Sequence, residues 1–153
     1  MSNDRFVYVT YIRTSADHLW HALTDPDTSR KYYFDSRQET SWKEGAPWRM
    51  LTPDGRLINS GEVLESQPPN RLALSWCNHL KPDLHAEGVS RATFELEPQG
   101  TATRLTLTHE IDKAHSKLIE DVAGGWPIIL ASLKTMLETG EPLEETRRWP
   151  NGL

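Results

Sequence analysis

Residues 126–137 read WPIILASLKTML. The apolar side chains Trp126, Ile129, Leu130, Leu133, Met136 and Leu137 recur at steps of three and four, which lines them up on one stripe of an α-helix. Thr139-Gly140-Glu141-Pro142 follows. Gly140 suits a left-handed cap and Pro142 cannot continue the helix, so the element ends there. Upstream, Gly124-Gly125 and Pro127 either kink one longer helix or start a new one, and residues 112–123 are polar with some helical pattern. Nearly everything earlier alternates as strands do. The pattern predicts an α+β fold: one long C-terminal helix lying against one antiparallel sheet.

Residues 6–13, FVYVTYIR, are β-branched and aromatic and predict the first strand. Both of its faces are partly apolar, so the run does not say which one turns inward. Thr14 or Ser15 then caps a helix over SADHLWHALTD, with Asp17 in the first turn and Leu19, Trp20 and Leu23 on its buried side. Asp25-Pro26-Asp27 breaks it, and a short second helix spans about 27–33. Strands are expected over 38–42, 48–51, 57–67, 71–78, 90–97 and 103–111. Pro53-Asp54-Gly55 and Pro68-Pro69-Asn70 mark turns between them. Gly61 inside a strand signals a bulge or a close approach. The last strand alternates most cleanly, with Leu105, Leu107, His109 and Ile111 on one face and Thr106, Thr108 and Glu110 on the other. Residues 78–88 read as a polar loop, and 143–153, LEETRRWPNGL, as a loose tail after a single domain of residues 1–142.

The 153 residues suit one domain with a core of its own. A net charge of -5 argues against non-specific nucleic-acid binding, which needs a basic surface. No apolar run approaches the ~20 residues of a membrane span. The opening MSNDRFVYVT lacks a basic segment followed by an apolar one, so a secretion signal is not expected. Cys77 is the one cysteine and fits a reducing compartment, and the expectation is a cytoplasmic protein. Six tryptophans are unusual for this length. Such rings fill cores and also line apolar pockets.

The order of elements resembles the helix-grip (START-like, Bet v 1-like) fold: one strand, two short helices, a run of antiparallel strands, then a long last helix. The wording is similar to the domain family named after the activator of Hsp90 ATPase, within the SRPBCC superfamily. SADHLWHALTDPD resembles that family's opening helix and GEVLESQPPNRLALSW its middle strands. TRLTLTHE resembles its last strand, and GGWPIILASLKTMLETGE its Gly-Trp terminal helix. Together these cover about residues 6–141. Ala16 stands where many members carry Pro. The resemblance implies a curved sheet gripping the C-terminal helix, with space between them for a small hydrophobic ligand. It also brings the family's associations with stress response, a chaperone partner and homodimers. No residue here marks a chaperone-binding surface.

If the sheet and helix leave a hollow, the side chains lining it are Tyr32, Phe34, Trp42, Trp48, Met50, Val63, Leu74, Trp76, Phe94, Leu107, His109, Trp126, Ile129 and Leu133. Each of these rings and branched chains also suits plain core packing. His109 is the weak catalytic candidate, since an imidazole on the inner face can move protons. A satisfied core histidine, bonded to Tyr or to backbone, is the commoner case. Asp35 and Glu39 near the mouth read as solvated carboxylates. His18 and His21 are three apart on a helix and reach only two metal ligands. Asn78, His79, Asp83, His85 and Glu87 share a loop, where a metal or catalytic role is the less common reading. Cys77 shows no paired histidine and reads as structural. The chain has no P-loop, dinucleotide fingerprint, HExxH or GxSxG, so no cofactor and no metal are assigned.

Three functions fit these residues. One is a module binding a small hydrophobic ligand between sheet and helix. Another is an enzyme resembling the polyketide cyclases and aromatases, which needs two titratable groups on one cavity where the sequence places one; the balance leans away from catalysis. The third is a co-chaperone-like interaction domain, which needs an exposed patch instead of a pocket.

Overall fold

A computed structural model describes residues 3–151 and 153 and shows the alternating runs paired in a single antiparallel sheet. Its strands are β1 (Asp4–Ile12), β2 (Arg37–Glu39), β3 (Pro47–Leu51), β4 (Leu57–Gln67), β5 (Arg71–Asn78), β6 (Ser90–Gln99) and β7 (Ala102–Ile111). They lie side by side in the order β1-β7-β6-β5-β4-β3-β2. The first strand thus closes one edge beside the last, and the middle strands follow as a meander. Register shifts in β3/β4 near Met50 and in β4/β5 near Val63 mark irregularities of the kind that bend a sheet. Gly61 is there for close approach: a Cβ on it would sit 1.9 Å from the carbonyl oxygen of Ser75.

Two short helices follow β1. Helix α1 (Ala16–Thr24) is capped by Ser15, whose hydroxyl accepts from the His18 N–H at 3.1 Å. Helix α2 (Pro26–Tyr32) is capped by Asp25, with Pro26 opening its first turn. The polar loop holds an element the sequence reading lacked, the helical turn α3 (Pro82–His85). Four residues are too few to show a helical period, and Leu84 alone supplies its buried side.

The C-terminal helix α4 is one continuous element, Lys117–Thr139, with Pro127 inside it and Gly140 in the left-handed conformation at its end. Of the two alternatives read from Gly124-Gly125 and Pro127, the single helix is therefore the one formed. Its N-terminus is held twice over. Ser116 caps it, and the Glu87 carboxylate accepts from Ser116 Oγ and from the N–H groups of Lys117 and Leu118 at 2.6, 2.9 and 3.1 Å. Trp126, Ile129, Leu130, Leu133 and Met136 are buried against the inner faces of β4–β7, where Val63, Leu72, Leu74, Trp76, Phe94, Leu96, Leu105 and Leu107 meet them. This is the helix-grip fold. Among the described residues, no helix is long and apolar enough to cross a membrane.

The segment after α4 is not loose. Thr146, in a 3₁₀ turn over Glu144–Thr146, is fully buried, and its hydroxyl meets that of Ser132 at 2.6 Å. Its carbonyl accepts from the N–H of Phe34 at 2.8 Å. Trp149 packs on the core. Composition and Pro142 alone predict a loose tail. Neither shows that Ser132, on the helix itself, provides a buried hydroxyl for the returning chain.

Candidate functional site

Between sheet and helix the interior is neither solid nor one open chamber. A small, largely buried space of about 20 Å³, room for roughly one water molecule, lies among Leu23, Tyr32, Leu72, Leu74, Phe94 and Leu130. Next to it a cleft of about 340 Å³ opens toward solvent, within the range of small-molecule sites. Tyr33, Met50, Trp76, Trp126 and Ile129 line both spaces and form the partition between them.

Local structure explains who faces the cleft. On α4, Val122, Gly125, Trp126 and Ile129 follow the i, i+3, i+4, i+7 spacing of one helix stripe. On β5, Trp76 and Asn78 are two apart and so share the inner face, while Cys77 between them turns outward. Met50, Asn59 and Asn78 are neighbours across β3, β4 and β5. Phe34 and Asp35 both hold left-handed backbone, φ 54° and 58°, which is uncommon for a bulky side chain. The Thr146 carbonyl and the Arg30 guanidinium, 2.8 Å from Asp35, hold that bend in place beside the mouth. Trp149, Pro150 and Leu153 close the far side, where Trp149 Nε1 donates to the Leu153 carbonyl at 2.8 Å.

The cleft wall is aromatic at its centre. Trp76 lies 4.7 Å from Trp48 and 5.6 Å from Trp126, ring centre to ring centre, and Tyr33 and Phe94 each meet Trp126 edge-on at 5.7 Å. Its polar atoms are few. Lys81 and Asp121 pair at 2.9 Å on the rim. The Asn78 amide oxygen is committed to the N–H groups of Leu80 and Lys81, both at 3.0 Å. Asn59 differs: it is buried, its Nδ2 reaches only the Met50 sulfur at 3.6 Å, and its Oδ1 has no partner. A buried amide oxygen without a donor is costly and rare.

His109 is fully buried but lines neither space. Its Nδ1 accepts from Trp126 Nε1 at 3.1 Å, so the ring proton sits on Nε2, which lies 2.8 Å from Ser90 Oγ. The Ser90 hydroxyl in turn donates to the Trp76 carbonyl at 3.0 Å. Burial pushes the imidazole down to about 3. Both nitrogens are occupied, Nε2 by the neighbouring strand β6 and Nδ1 by α4. The satisfied core histidine is what forms, with Trp and Ser in place of the Tyr or backbone expected.

Eight of the fourteen side chains named for a hollow line one space or the other: Tyr32, Phe34, Met50, Leu74, Trp76, Phe94, Trp126 and Ile129. The remaining six lie elsewhere. Trp48, Val63, Leu107 and Leu133 are packed solid in the core, with Trp48 Nε1 bonded to Gln38 at 3.0 Å; Trp42 is half-buried against it, and His109 is placed as above. Sequence reading missed Asn59 and Trp149. Val122 and Gly125 carried a signal, since they extend the helix stripe backward from Trp126. Asn59 carried none, because nothing in the sequence says that an amide will lack a partner. Cys77 needs correcting as well: His85 Nδ1 lies 3.7 Å from its sulfur and His79 is close by, brought there by the unforeseen turn α3.

None of the curated proteins compared matches the chain. Several solved structures share its fold at low identity. CalU16 from Micromonospora echinospora superposes with a TM-score of 0.73 at 24% identity, over 93% of this chain and 78% of that one. DynU16, a protein of the dynemicin biosynthetic locus, gives 0.75 at 23% identity, over 91% of this chain and 49% of its own. The Aha1 dimer from Colwellia psychrerythraea gives 0.68 at 19%, over 92% and 98%. The family of activator of Hsp90 ATPase homolog 1-like proteins matches residues 13–138. That span takes in the capped α1, the whole meander and all but the last residue of α4, and the chain belongs to this family, on the helix-grip scaffold.

Proposed function

We propose that the chain binds a small, mostly apolar molecule in the cleft between sheet and α4, and that the molecule carries a hydrogen-bond donor. The observation that carries this reading is the cleft of about 340 Å³ itself, largely aromatic and aliphatic, with Asn59 and its unpaired oxygen packed into the wall. Apolar surface supplies affinity and one placed polar atom supplies orientation. A small turn of the Asn59 amide brings Oδ1 to the cleft surface, where a ligand's donor satisfies a group the folded chain leaves wanting. A planar aromatic alcohol fits these demands: its ring stacks against Trp76 or Trp126 and its hydroxyl donates to Asn59. A protein of a biosynthetic locus among the structural neighbours is compatible with such cargo.

Catalysis is supported less. Lys81 and Asp121 on the rim are paired with one another, and His109 faces away with both nitrogens engaged. The interaction-domain reading has the half-exposed Val7, Val9 and Tyr11 of β1 in its favour. That is three side chains on one strand, against a cleft drawing on both layers of the fold.

The test uses a matched pair of ligands, 1-naphthol and its methyl ether, followed by thermal unfolding and calorimetry. The alcohol is expected to raise the midpoint by mass action. The ether, which cannot donate, should bind about tenfold more weakly, and Asn59→Leu should erase that difference. If neither compound, nor any in a wider panel of apolar aromatics, moves the midpoint, the cleft is not a binding site.

A further inference from the structure

On the opposite face of β5 from the cleft, three side chains capable of metal ligation converge. Cys77 points outward from the strand, His79 follows it by two residues, and His85 returns on α3. One ligand atom from each lies within 4.8 Å of the others. Cys77 Sγ and His85 Nδ1 are 3.7 Å apart, and the two imidazole rings are 5.0 Å apart at an angle of 49°. Bonds of about 2.0–2.1 Å to nitrogen and 2.3 Å to sulfur at tetrahedral angles separate ligand atoms by about 3.5 Å. The cysteine–histidine pair is already near that spacing, and small rotations of exposed side chains bring in the third.

We propose that Cys77, His79 and His85 form a binding site for a zinc-class transition-metal ion, behind the loop that walls the ligand cleft. A thiolate and two imidazoles are soft-to-borderline donors, which select zinc or copper over magnesium or calcium. The surroundings of His79 resemble those of ligating histidines, which usually hold a protein oxygen on their other nitrogen. His79 Nε2 lies 2.6 Å from Ser60 Oγ, and Ser60 is the cross-strand neighbour of Cys77. His85 Nδ1 lies 2.9 Å from the Asn78 carbonyl. This is also the nitrogen beside the Cys77 sulfur, so binding the ion there exchanges its bond to the carbonyl for one to the metal. Three protein ligands leave a fourth position for water. The loop between the ligands is braced already, since Asn78 Oδ1 accepts from Leu80 and Lys81 and the turn α3 carries His85 back. Leu80 and Lys81 line the cleft, so a bound ion would stiffen one of its walls.

The experiment is titration of the reduced protein with cobalt(II), followed by absorbance and then competition with zinc. The expected result is saturation at one equivalent with a thiolate-to-cobalt charge-transfer band in the near ultraviolet, displaced by zinc. Cys77→Ser should abolish the band, and His85→Ala should weaken zinc binding by more than about tenfold. Ser60→Ala, which removes only the outer bond to His79, should weaken it by about tenfold or more. Circular dichroism checks that each variant is folded. If Cys77→Ser is not, the double variant His79→Ala/His85→Ala, both exposed, must lose binding instead. The proposal is overturned if no thiolate band appears, or if Cys77→Ser and His85→Ala bind as the parent does. It is equally overturned if loss instead follows removal of the other exposed pair, His18 and His21.

Discussion

His109 shows how one residue can carry the marks of a catalyst while serving as structure. Its face, its burial and its type were all legible from the alternation of residues 103–111. Its partners were not, because Trp126 and Ser90 come from elements 17 and 19 residues away in sequence. The consequence for stability has a definite sign. The imidazole's ordinary value is 6.5, and burial holds it near 3 in the folded chain. Between those values the unfolded chain takes up a proton that the folded chain refuses. The stability this neutral ring supports is present at neutral pH and is lost as the pH falls below about 6.5, at up to about 1.4 kcal/mol per unit. Urea unfolding of the parent and of His109→Gln, from pH 7 to pH 5, checks this. The parent's advantage should shrink steadily on acidification. Carboxylates held low, such as Glu65 beside Arg71 and Arg91, are common to both proteins and cancel in the difference. An advantage that does not change with pH would mean that His109 is protonated in the folded state.

At the scale of the element, α4 is a long helix carrying three residues that weaken helices. Pro127 has no N–H for the carbonyl of Ala123, and Gly124 and Gly125 each cost up to about 1 kcal/mol relative to Ala. The two glycines are alike in backbone and differ in surroundings. A Cβ on either meets nothing within 4 Å, but Gly125 borders the cleft and Gly124 is exposed. Gly124→Ala should therefore stabilise the chain by about 0.5–1 kcal/mol and leave ligand affinity alone. Gly125→Ala should gain similar stability while weakening the binding of an aromatic ligand, because its methyl group enters the cleft. Chemical unfolding and calorimetry on the pair separate the two effects; equal affinities would remove Gly125 from the site. Boundaries at this scale were mostly readable, since caps and glycines are local chemistry: Ser15, Asp25 and Gly140 each did what their type predicts. The turn α3 and the packed segment after Pro142 were not readable, because each is held by contacts made far along the chain.

For the whole molecule, one antiparallel sheet against one long helix follows from periodicity, with the pattern of residues 126–137 carrying most of that, and the grip from the family resemblance. The shape of the hollow does not, because it depends on how well large rings fit together and not on which face they occupy. Trp48 and Trp76 alternate inward alike, yet the first is packed solid and the second borders open space. The division into a void of about 20 Å³ and a cleft of about 340 Å³ rests on a partition five side chains wide. Ile129, buried on α4, is its one branched aliphatic member. Ile129→Ala should join the two spaces. In the free protein the lost packing should cost about 3 kcal/mol. A molecule too large for the parent cleft should then bind the variant and restore part of that loss, about 2.7 kcal/mol at a hundredfold excess over its dissociation constant. Urea unfolding of Ile129→Ala with and without a naphthol bearing one additional alkyl group measures both terms. Restoration confined to the variant would establish that the two spaces are parts of one interior. A loss that no such ligand reverses would mean that the side chains around Ile129 collapse on its removal and the partition reforms.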